Sequence, residues 1–342
     1  MNKVPGVYVD EENKVRLSVT TGATAVPAFV FAKADFGGDG HYKRFNSWLA
    51  VIEGLPKDSD QMLIYRSLKI YFENGGGYCY AIDVEKIEPA LDQLDDVTLL
   101  VQAGNEASAG EMKRVCDKFH VFGIYDAVQS AGEGASLTQP ASGNSIQGAA
   151  YGPGLTRGKI SYAASAAVAG VYCRVDRERG VWKAPANVAI EGGYSVAPLP
   201  VAPAFNDGVN AIRTFNGGTP LVWGARTLDP TSIWGFVPVR RLFNAVEKDI
   251  KKAMNIAVFE PNNAYTWEVV RSAIDNYLHQ LWTDGALLGE TPKEAYSVLV
   301  GLGATMTDDD LRKGLMKVKV GLAAVRPAEQ IILQFSQKMN GA

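Results

Sequence analysis

The amino-acid sequence predicts an α/β fold, a mixed sheet flanked by helices, because helical and strand patterns alternate along the body of the chain. A helix is predicted over Asp60–Phe72, followed by strands at Tyr78–Ile82 and Val97–Val101, a helix at Glu111–Phe119 and a strand at Val121–Tyr125. This alternation favours a partly parallel sheet. A chain of 342 residues, 47% hydrophobic and 21% charged, has enough apolar residues to bury the core of such a sheet.

The second half of the sequence contains two further amphipathic helices. Apolar residues recur at helical spacing from Val239 to Ala253 and again over Tyr265–Trp282. Ser130–Gly158 is rich in Gly, Ala, Ser and Thr and is therefore predicted to form a long surface loop. Gly75–Gly77 follows the helix predicted over Asp60–Phe72, where glycine commonly ends a helix.

Both ends of the sequence alternate apolar with polar residues, the period of a half-buried strand. The apolar positions are Val15, Leu17 and Val19 near one end and Ile331, Leu333 and Phe335 near the other. A strand needs a partner, because an unpaired edge invites association. From pattern alone the two strands either extend the protein's own sheet or are donated to neighbouring subunits.

Composition disfavours several classes of partner. The formal net charge of −3 produces no field that attracts nucleic acid. Met1–Thr20 lacks the apolar core of a signal peptide, and no run approaches the ~18 apolar residues that insertion into a membrane requires. Three dispersed cysteines, an odd number, predict reduced buried thiols and synthesis in the cytoplasm.

No catalytic, cofactor or metal site is predicted. His41, His120 and His279 are isolated, and the spacing of a zinc site or a nucleophile elbow is absent from the sequence. The acidic run Asp308–Asp310 lacks the ligand pattern of a Ca²⁺ loop and instead suits the first turn of a helix capped by Thr307 or Asp308. The sequence therefore predicts a protein that is not an enzyme, with an α/β hydrolase of dispersed site as the alternative.

Specific motifs occur in order along most of the chain. They are PGVY at 5–8, RVDRERGVWKAPAN at 174–187, NAIR at 210–213, WGARTL at 223–228, VRRL at 239–242, FEPN at 259–262, GAL at 285–287, EAY at 294–296 and PAE at 327–329. Together they resemble the contractile tail sheath proteins of bacteriophages, R-type bacteriocins and extracellular contractile injection systems. The short middle segment is similar to the minimal sheaths of the last two groups.

The resemblance implies a structural subunit that polymerises helically around an inner tube and contracts to drive that tube through a target envelope. Its partners would be copies of itself, the tube protein, and baseplate and terminator proteins, with a sheath-disassembly ATPase or sheath paralogues as further candidates. It implies no cofactor and no nucleic-acid partner. The protein would be made in the bacterial cytoplasm. It would become part of a phage tail or of a released phage-tail-like particle. Another self-assembling tube or shell protein is the remaining alternative.

The resemblance also implies a domain organisation and a set of structural residues. Arms at 1–20 and 321–342 would be exchanged between subunits, residues 21–90 and 160–320 would form the sheath core, and 91–159 would form a small peripheral α/β segment with a long loop. Buried ion pairs and packing in the core are expected of Asp176, Arg177, Arg179, Trp182, Lys183, Arg226, Arg240 and Arg241. The basic residues at 312, 313, 317 and 319 suit either a surface that faces the tube or a solvated helix face, and the second is favoured, so tube-facing residues stay unassigned.

Overall fold

The computed structural model describes residues 17–37, 40–55, 62–129, 136–140, 144–196 and 207–329. These residues belong to two compact units, one formed by 23–245 with 325–329 and the other by 17–22 with 246–324. Residues 17–22 have no regular structure, and Leu17 and Val19 are half-buried. The other predicted arm positions, Val15, Ile331, Leu333 and Phe335, lie outside the described residues.

Strands and helices alternate through the described residues. The strands are β1 (Pro27–Phe31), β2 (Tyr42–Phe45), β3 (Cys79–Asp83), β4 (Leu99–Val101), β5 (Phe122–Asp126), β6 (Val128–Gln129), β7 (Leu137–Thr138), β8 (Gly148–Gly152), β9 (Leu155–Arg157), β10 (Ile160–Tyr162), β11 (Val188–Ala189), β12 (Ser195–Val196), β13 (Val209–Arg213), β14 (Leu221–Trp223), β15 (Tyr296–Val300) and β16 (Val318–Leu322). The α-helices are α1 (Lys33–Phe36), α2 (Trp48–Gly54), α3 (Leu63–Glu73), α4 (Ile87–Leu91), α5 (Ala109–Phe119), α6 (Ala164–Arg179), α7 (Val237–Met254), α8 (Ala264–Thr283), α9 (Pro292–Ala295) and α10 (Asp308–Arg312).

The unit formed by 23–245 with 325–329 is built on a nine-stranded sheet of order β11-β14-β13-β8-β5-β4-β1-β3-β2. Its central strands, from β13 through β3, are parallel, whereas β2 at one edge and β14 with β11 at the other are antiparallel. The predicted mixed α/β sheet is therefore confirmed.

Helices cover both faces of this sheet. Phe29 and Phe31 of β1 pack into a core cluster with α3 and α6, whereas Ala28 and Val30 of the same strand face a second cluster with α4 and α5. Successive side chains of a strand point to opposite faces, so a strand buried on both sides is continuously apolar. The unit is thus a three-layer arrangement with one apolar core on each side of the sheet.

The placement of residues 91–159 differs from the expected peripheral segment. Strands β4, β5 and β8 lie inside the large sheet, between β1 and β13. The predicted long loop at 130–158 is also wrong where β8 runs, since all five residues of that strand are buried. A Cβ on Gly123 or Gly148 would lie 2.5 Å from the ring of Tyr125, so these glycines leave room for that buried ring. At Gly148 the glycine therefore reflects packing within the sheet, not a loop.

The unit formed by 17–22 with 246–324 contains the end of α7, together with α8, α9, α10 and a two-stranded sheet. Strand β15 pairs antiparallel with β16 over five residue pairs, from Tyr296 with Leu322 to Val300 with Val318. Helix α8 is capped by Asn263, whose side chain accepts a hydrogen bond from the amide of Thr266, and it buries one apolar face. Helix α10 is capped by Thr307, one of the two residues predicted for that role.

The expected state of the cysteines is confirmed, since Cys79, Cys116 and Cys173 are all buried and free. Within the described ranges, no helix combines the length and apolar character needed to cross a membrane. The same residues contain no group of three or more His, Cys, Asp or Glu side chains arranged to hold a metal ion.

Candidate functional site

Two of the motif residues, Asp176 and Arg241, meet in the interior of the sheet-containing unit. Asp176 lies near the end of α6 and Arg241 in the first half of α7. The guanidinium donates two hydrogen bonds to the carboxylate, Nη1 to Oδ1 at 2.9 Å and Nη2 to Oδ2 at 2.6 Å. The two side chains are 5% and 2% exposed. This paired geometry fits the fork of an arginine to both oxygens of a carboxylate.

Two further residues complete what we term the Arg241 cluster, which comprises Arg241, Asp176, Thr24 and Tyr172. The Thr24 hydroxyl donates to Asp176 Oδ2 at 2.6 Å, and Arg241 Nη2 donates to the Thr24 carbonyl at 3.1 Å. The guanidinium also lies 4.5 Å from the centre of the Tyr172 ring. Burial would lower the pKa of Arg241, but Asp176 outweighs burial and raises that pKa above its ordinary value. The cluster therefore holds the chain at Thr24, four residues after the expected N-terminal arm.

Arg226 forms a second cluster, the Arg226 cluster, with Glu329, Asn210 and Phe236. Its Nε donates to both oxygens of Glu329 at 2.9 and 3.0 Å, and its Nη2 donates to Oε2 at 2.5 Å. The guanidinium lies 4.0 Å from the centre of the Phe236 ring. With 22% and 19% of their side chains exposed, Arg226 and Glu329 are more shielded than an ordinary surface pair.

The backbone of Arg226 is fixed by a neighbouring strand. Asn210 of β13 accepts a hydrogen bond from the Arg226 amide at 2.7 Å and donates to its carbonyl at 2.8 Å. The same side chain donates to the carbonyl of Ala150 in β8 at 3.1 Å. Asn210 thus ties the segment after β14 to the sheet and directs Arg226 towards Glu329, just before the expected arm strand at 331–335.

The other motif residues are not brought into either cluster. Arg240 is buried, lies 4.6 Å from the Trp234 ring centre and donates to Asn244 at 2.8 Å. Lys183 donates to the Ala184 carbonyl at 3.1 Å, and burial followed by Arg179 lowers its pKa. Trp182 is half-buried.

Arg177 and Arg179, which the resemblance placed among buried ion pairs, are exposed in the last turn of α6. Cations there interact favourably with the negative end of the helix dipole, so both positions are stabilising without burial.

Sequence reasoning named Asp176 but missed the roles of two other acidic residues, Glu329 and Asp249. Glu329 stands in the PAE motif, but nothing in that motif indicates Arg226 as its partner. Asp249 of α7, which lies in the unit of 17–22 with 246–324, was not singled out at all. It is 6% exposed, accepts the Tyr277 hydroxyl at 2.8 Å and accepts the amide of Gly22 at 3.1 Å. Burial raises the pKa of Asp249.

The basic group near α10 pairs with neighbouring acids. Lys313 and Arg312 approach Asp309 at 2.5 and 3.6 Å, and Lys317 approaches Asp310 at 2.6 Å. These side chains are mostly exposed, apart from Asp310. The arrangement is that of a solvated helix face with internal charge pairing.

Comparisons with known proteins agree with the motifs. A family model described as the phage tail sheath C-terminal domain matches residues 229–338. The sheath complex of the extracellular contractile injection system PVC, solved in the contracted state, is 41% identical, with a TM-score of 0.85 over 99% of this chain and 98% of that one. The contracted helical sheath of the anti-feeding prophage (AFP) is 38% identical, with a TM-score of 0.81 over 99% of this chain and 100% of that one.

A more distant structure shares the fold alone. The sheath tail protein of Listeria innocua is 9% identical, with a TM-score of 0.61 over 90% of this chain and 96% of that one. No curated protein sequence matches the chain. Since the PVC sheath protein is 41% identical over nearly the whole of both chains, the present chain belongs to the contractile tail sheath family, as its motifs predicted.

Proposed function

We propose that copies of this sheath subunit polymerise helically around an inner tube and contract to drive the tube through a target envelope. The observation that carries the proposal is the two-stranded sheet β15–β16. Each strand pairs only with the other among the described residues, so each leaves an outer edge for a further strand. A two-stranded sheet is marginally stable by itself, and an open edge readily accepts an added strand.

The expected arms match these edges in length and pattern. Residues 15–19 and 331–335 each span five residues, as do β15 and β16. An arm from one neighbour at each outer edge would give a four-stranded sheet shared between subunits. Main-chain hydrogen bonds of this kind are independent of side-chain packing at other interfaces, so they would stay intact while subunits rotate during contraction.

α/β folds usually bind ligands at the carboxyl edge of their parallel strands. A structural role without catalysis is supported by the way the acidic residue at this edge is used within the protein. Asp126 at the end of β5 accepts hydrogen bonds from the amide and hydroxyl of Ser165 and from the Gly104 amide, at 2.7–2.8 Å. Burial raises the pKa of this carboxyl. Asp126 thus caps the start of α6 from within the protein. On this proposal contraction uses energy stored at assembly and no nucleotide.

The partners follow from the same proposal. The solved relatives include sheath and baseplate complexes of AFP, and we extend baseplate association to this chain. The inner tube protein and a terminator complete the particle, with a sheath-disassembly ATPase or sheath paralogues as further candidates. The subunit would be made in the bacterial cytoplasm and act in a phage-tail-like particle.

Electron microscopy of the purified protein tests the proposal, alone and with a candidate tube protein. We expect hollow, helically striated cylinders alone and longer, narrower ones around a tube. Variants lacking residues 1–20 or 330–342 should remain folded monomers, because both deletions keep Gly22 and Glu329. Normal cylinders from either deletion would overturn strand exchange. Dispersed full-length protein under every condition would overturn assembly and favour a soluble enzyme.

A further inference from the structure

We infer that two contacts fix the points at which the arms leave the subunit, and so set how readily the subunit polymerises. The C-terminal anchor is the contact of Arg226 with Glu329, and the N-terminal anchor is the contact of Asp249 with Gly22. This inference rests on the strand exchange proposed above. The four residues act as positioning residues, because they would determine where the arms begin without touching the neighbouring subunit.

The C-terminal anchor is built to hold one geometry. Both carboxylate oxygens of Glu329 accept from the arginine, the guanidinium plane is backed by Phe236, and Asn210 fixes the arginine backbone. A planar fork of this kind restrains the carboxylate in direction as well as in distance, which a lysine ammonium cannot do. Ile331, the first apolar position of the expected arm strand, is only two positions after Glu329.

The N-terminal anchor uses a buried carboxylate and a glycine. Asp249 is oriented by the Tyr277 hydroxyl and accepts the Gly22 amide. A Cβ on residue 22 would lie 2.7 Å from Asp249 Oδ1, so a side chain cannot be added without displacing the carboxylate. Val19, the last apolar position of the other expected arm strand, is three positions before Gly22.

Tether length gives the expected size of each effect. The tether is the stretch of chain between the last residue held by the subunit and the arm strand. If the Glu329 contact is lost, the last held residue before Ile331 becomes Ala324, which forms a β-bridge with Leu287. The tether to Ile331 then lengthens from two to seven positions. The effective concentration of a tethered segment falls with roughly the −3/2 power of tether length, so loss of this anchor lowers it about sixfold. If the Gly22 contact is lost, the first held residue after Val19 becomes Thr24. The tether to Val19 then lengthens from three to five positions, which lowers the effective concentration of the arm about twofold.

The test is the critical concentration for polymerisation, measured by sedimentation of the full-length protein, together with the melting temperature of the monomer. Glu329→Gln and Arg226→Lys should each raise the critical concentration about sixfold. The matched control is Glu73→Gln, since Glu73 pairs with Arg157 at similar exposure, 29% and 32%. Gly22→Ala should raise it about twofold, with Gly77→Ala as its control, because a Cβ on Gly77 meets nothing within 4 Å.

The possible results distinguish failure of the anchor inference from failure of the proposed strand exchange. A rise in Glu329→Gln and Arg226→Lys, with Glu73→Gln at the wild-type value and unchanged melting temperatures, supports the anchors. A wild-type critical concentration in both variants, or an equal rise in Glu73→Gln, overturns them. A variant lacking residues 330–342 is measured alongside. If that deletion alone abolishes polymerisation, strand exchange stands without anchors, and if it polymerises normally, both proposals fail.

Discussion

Removing one partner of the pair formed by Asp176 and Arg241 should cost a large part of the stability of the sheet-containing unit, because the remaining charge would be buried without a counter-charge. Replacing Asp176 by alanine leaves a buried guanidinium without its counter-charge, which costs about 3–5 kcal/mol. The change also removes the acceptor of the Thr24 hydroxyl, at a cost of about 1 kcal/mol. Since domains are stable by only about 5–15 kcal/mol, Asp176→Ala should lose roughly a third or more of the free energy of unfolding.

Urea unfolding followed by far-UV circular dichroism measures this loss, at protein concentrations below those that support polymerisation. The control is Glu111→Ala, whose partner Arg114 is 54% exposed, and the midpoint should not move. The double variant Asp176→Leu with Arg241→Met removes both charges and should recover most of the stability. If Asp176→Ala is as stable as Glu111→Ala, the buried pair does not stabilise the unit as argued.

Two helical glycines and the ion pair of Lys317 with Asp310 provide further tests. Gly170→Ala should destabilise by about 1–3 kcal/mol, because its Cβ would lie 2.4 Å from the Tyr71 carbonyl oxygen. Gly110→Ala meets nothing within 4 Å and should stabilise by up to about 1 kcal/mol, and urea unfolding distinguishes the two. Lys317 lowers the pKa of the Asp310 carboxyl to about 2 from an ordinary 3.8. The contribution of the ionised Asp310 to stability is therefore complete above pH 3.8 and is lost as pH falls towards 2. In Lys317→Met, an NMR titration should show the pKa of Asp310 most of the way back to its ordinary value. An unchanged titration curve would refute the role given to Lys317.

Helices of strong amphipathic period were predicted to within a few residues. The prediction over Tyr265–Trp282 corresponds to Ala264–Thr283, and that over Asp60–Phe72 corresponds to Leu63–Glu73. A long apolar stripe identifies a helix because one face must be buried, whatever that face contacts. The exact ends depend on local hydrogen bonds, such as the Asn263 cap, which periodicity does not report.

Strand β8 shows why part of the sheet was missed. Its sequence, GAAYG, has few of the branched and aromatic residues that favour strands, and it stands in a polar, glycine-rich region. The glycine at 148 is needed because the ring of Tyr125, on the adjacent strand, occupies the space of a side chain. That requirement comes from the tertiary contact alone. The family resemblance placed residues 91–159 at the periphery, whereas they supply the middle of the sheet.

The site could be predicted only in part, because a motif identifies residue types and not their partners. The motifs picked out Arg226 and Arg241, but Glu329 lies 103 positions from Arg226 and Asp176 lies 65 positions from Arg241. Gly22 and Asp249 are 227 positions apart. Contacts over such separations depend on the path of the chain through the fold, which no local pattern contains.

Three of the buried or partly buried motif arginines share one arrangement, which accounts for the choice of arginine over lysine at these positions. Arg226, Arg240 and Arg241 each place the guanidinium 4.0–4.6 Å from the centre of an aromatic ring. A planar cation can stack on a ring with its face while its edge donates to a carboxylate or amide oxygen, whereas an ammonium cannot do both. At Arg226 and Arg241 the ring therefore restrains the guanidinium and the guanidinium restrains an acid, so each contact tolerates little movement. On the strand exchange proposed above, such stiffness suits residues near the bases of arms through which force would pass between subunits.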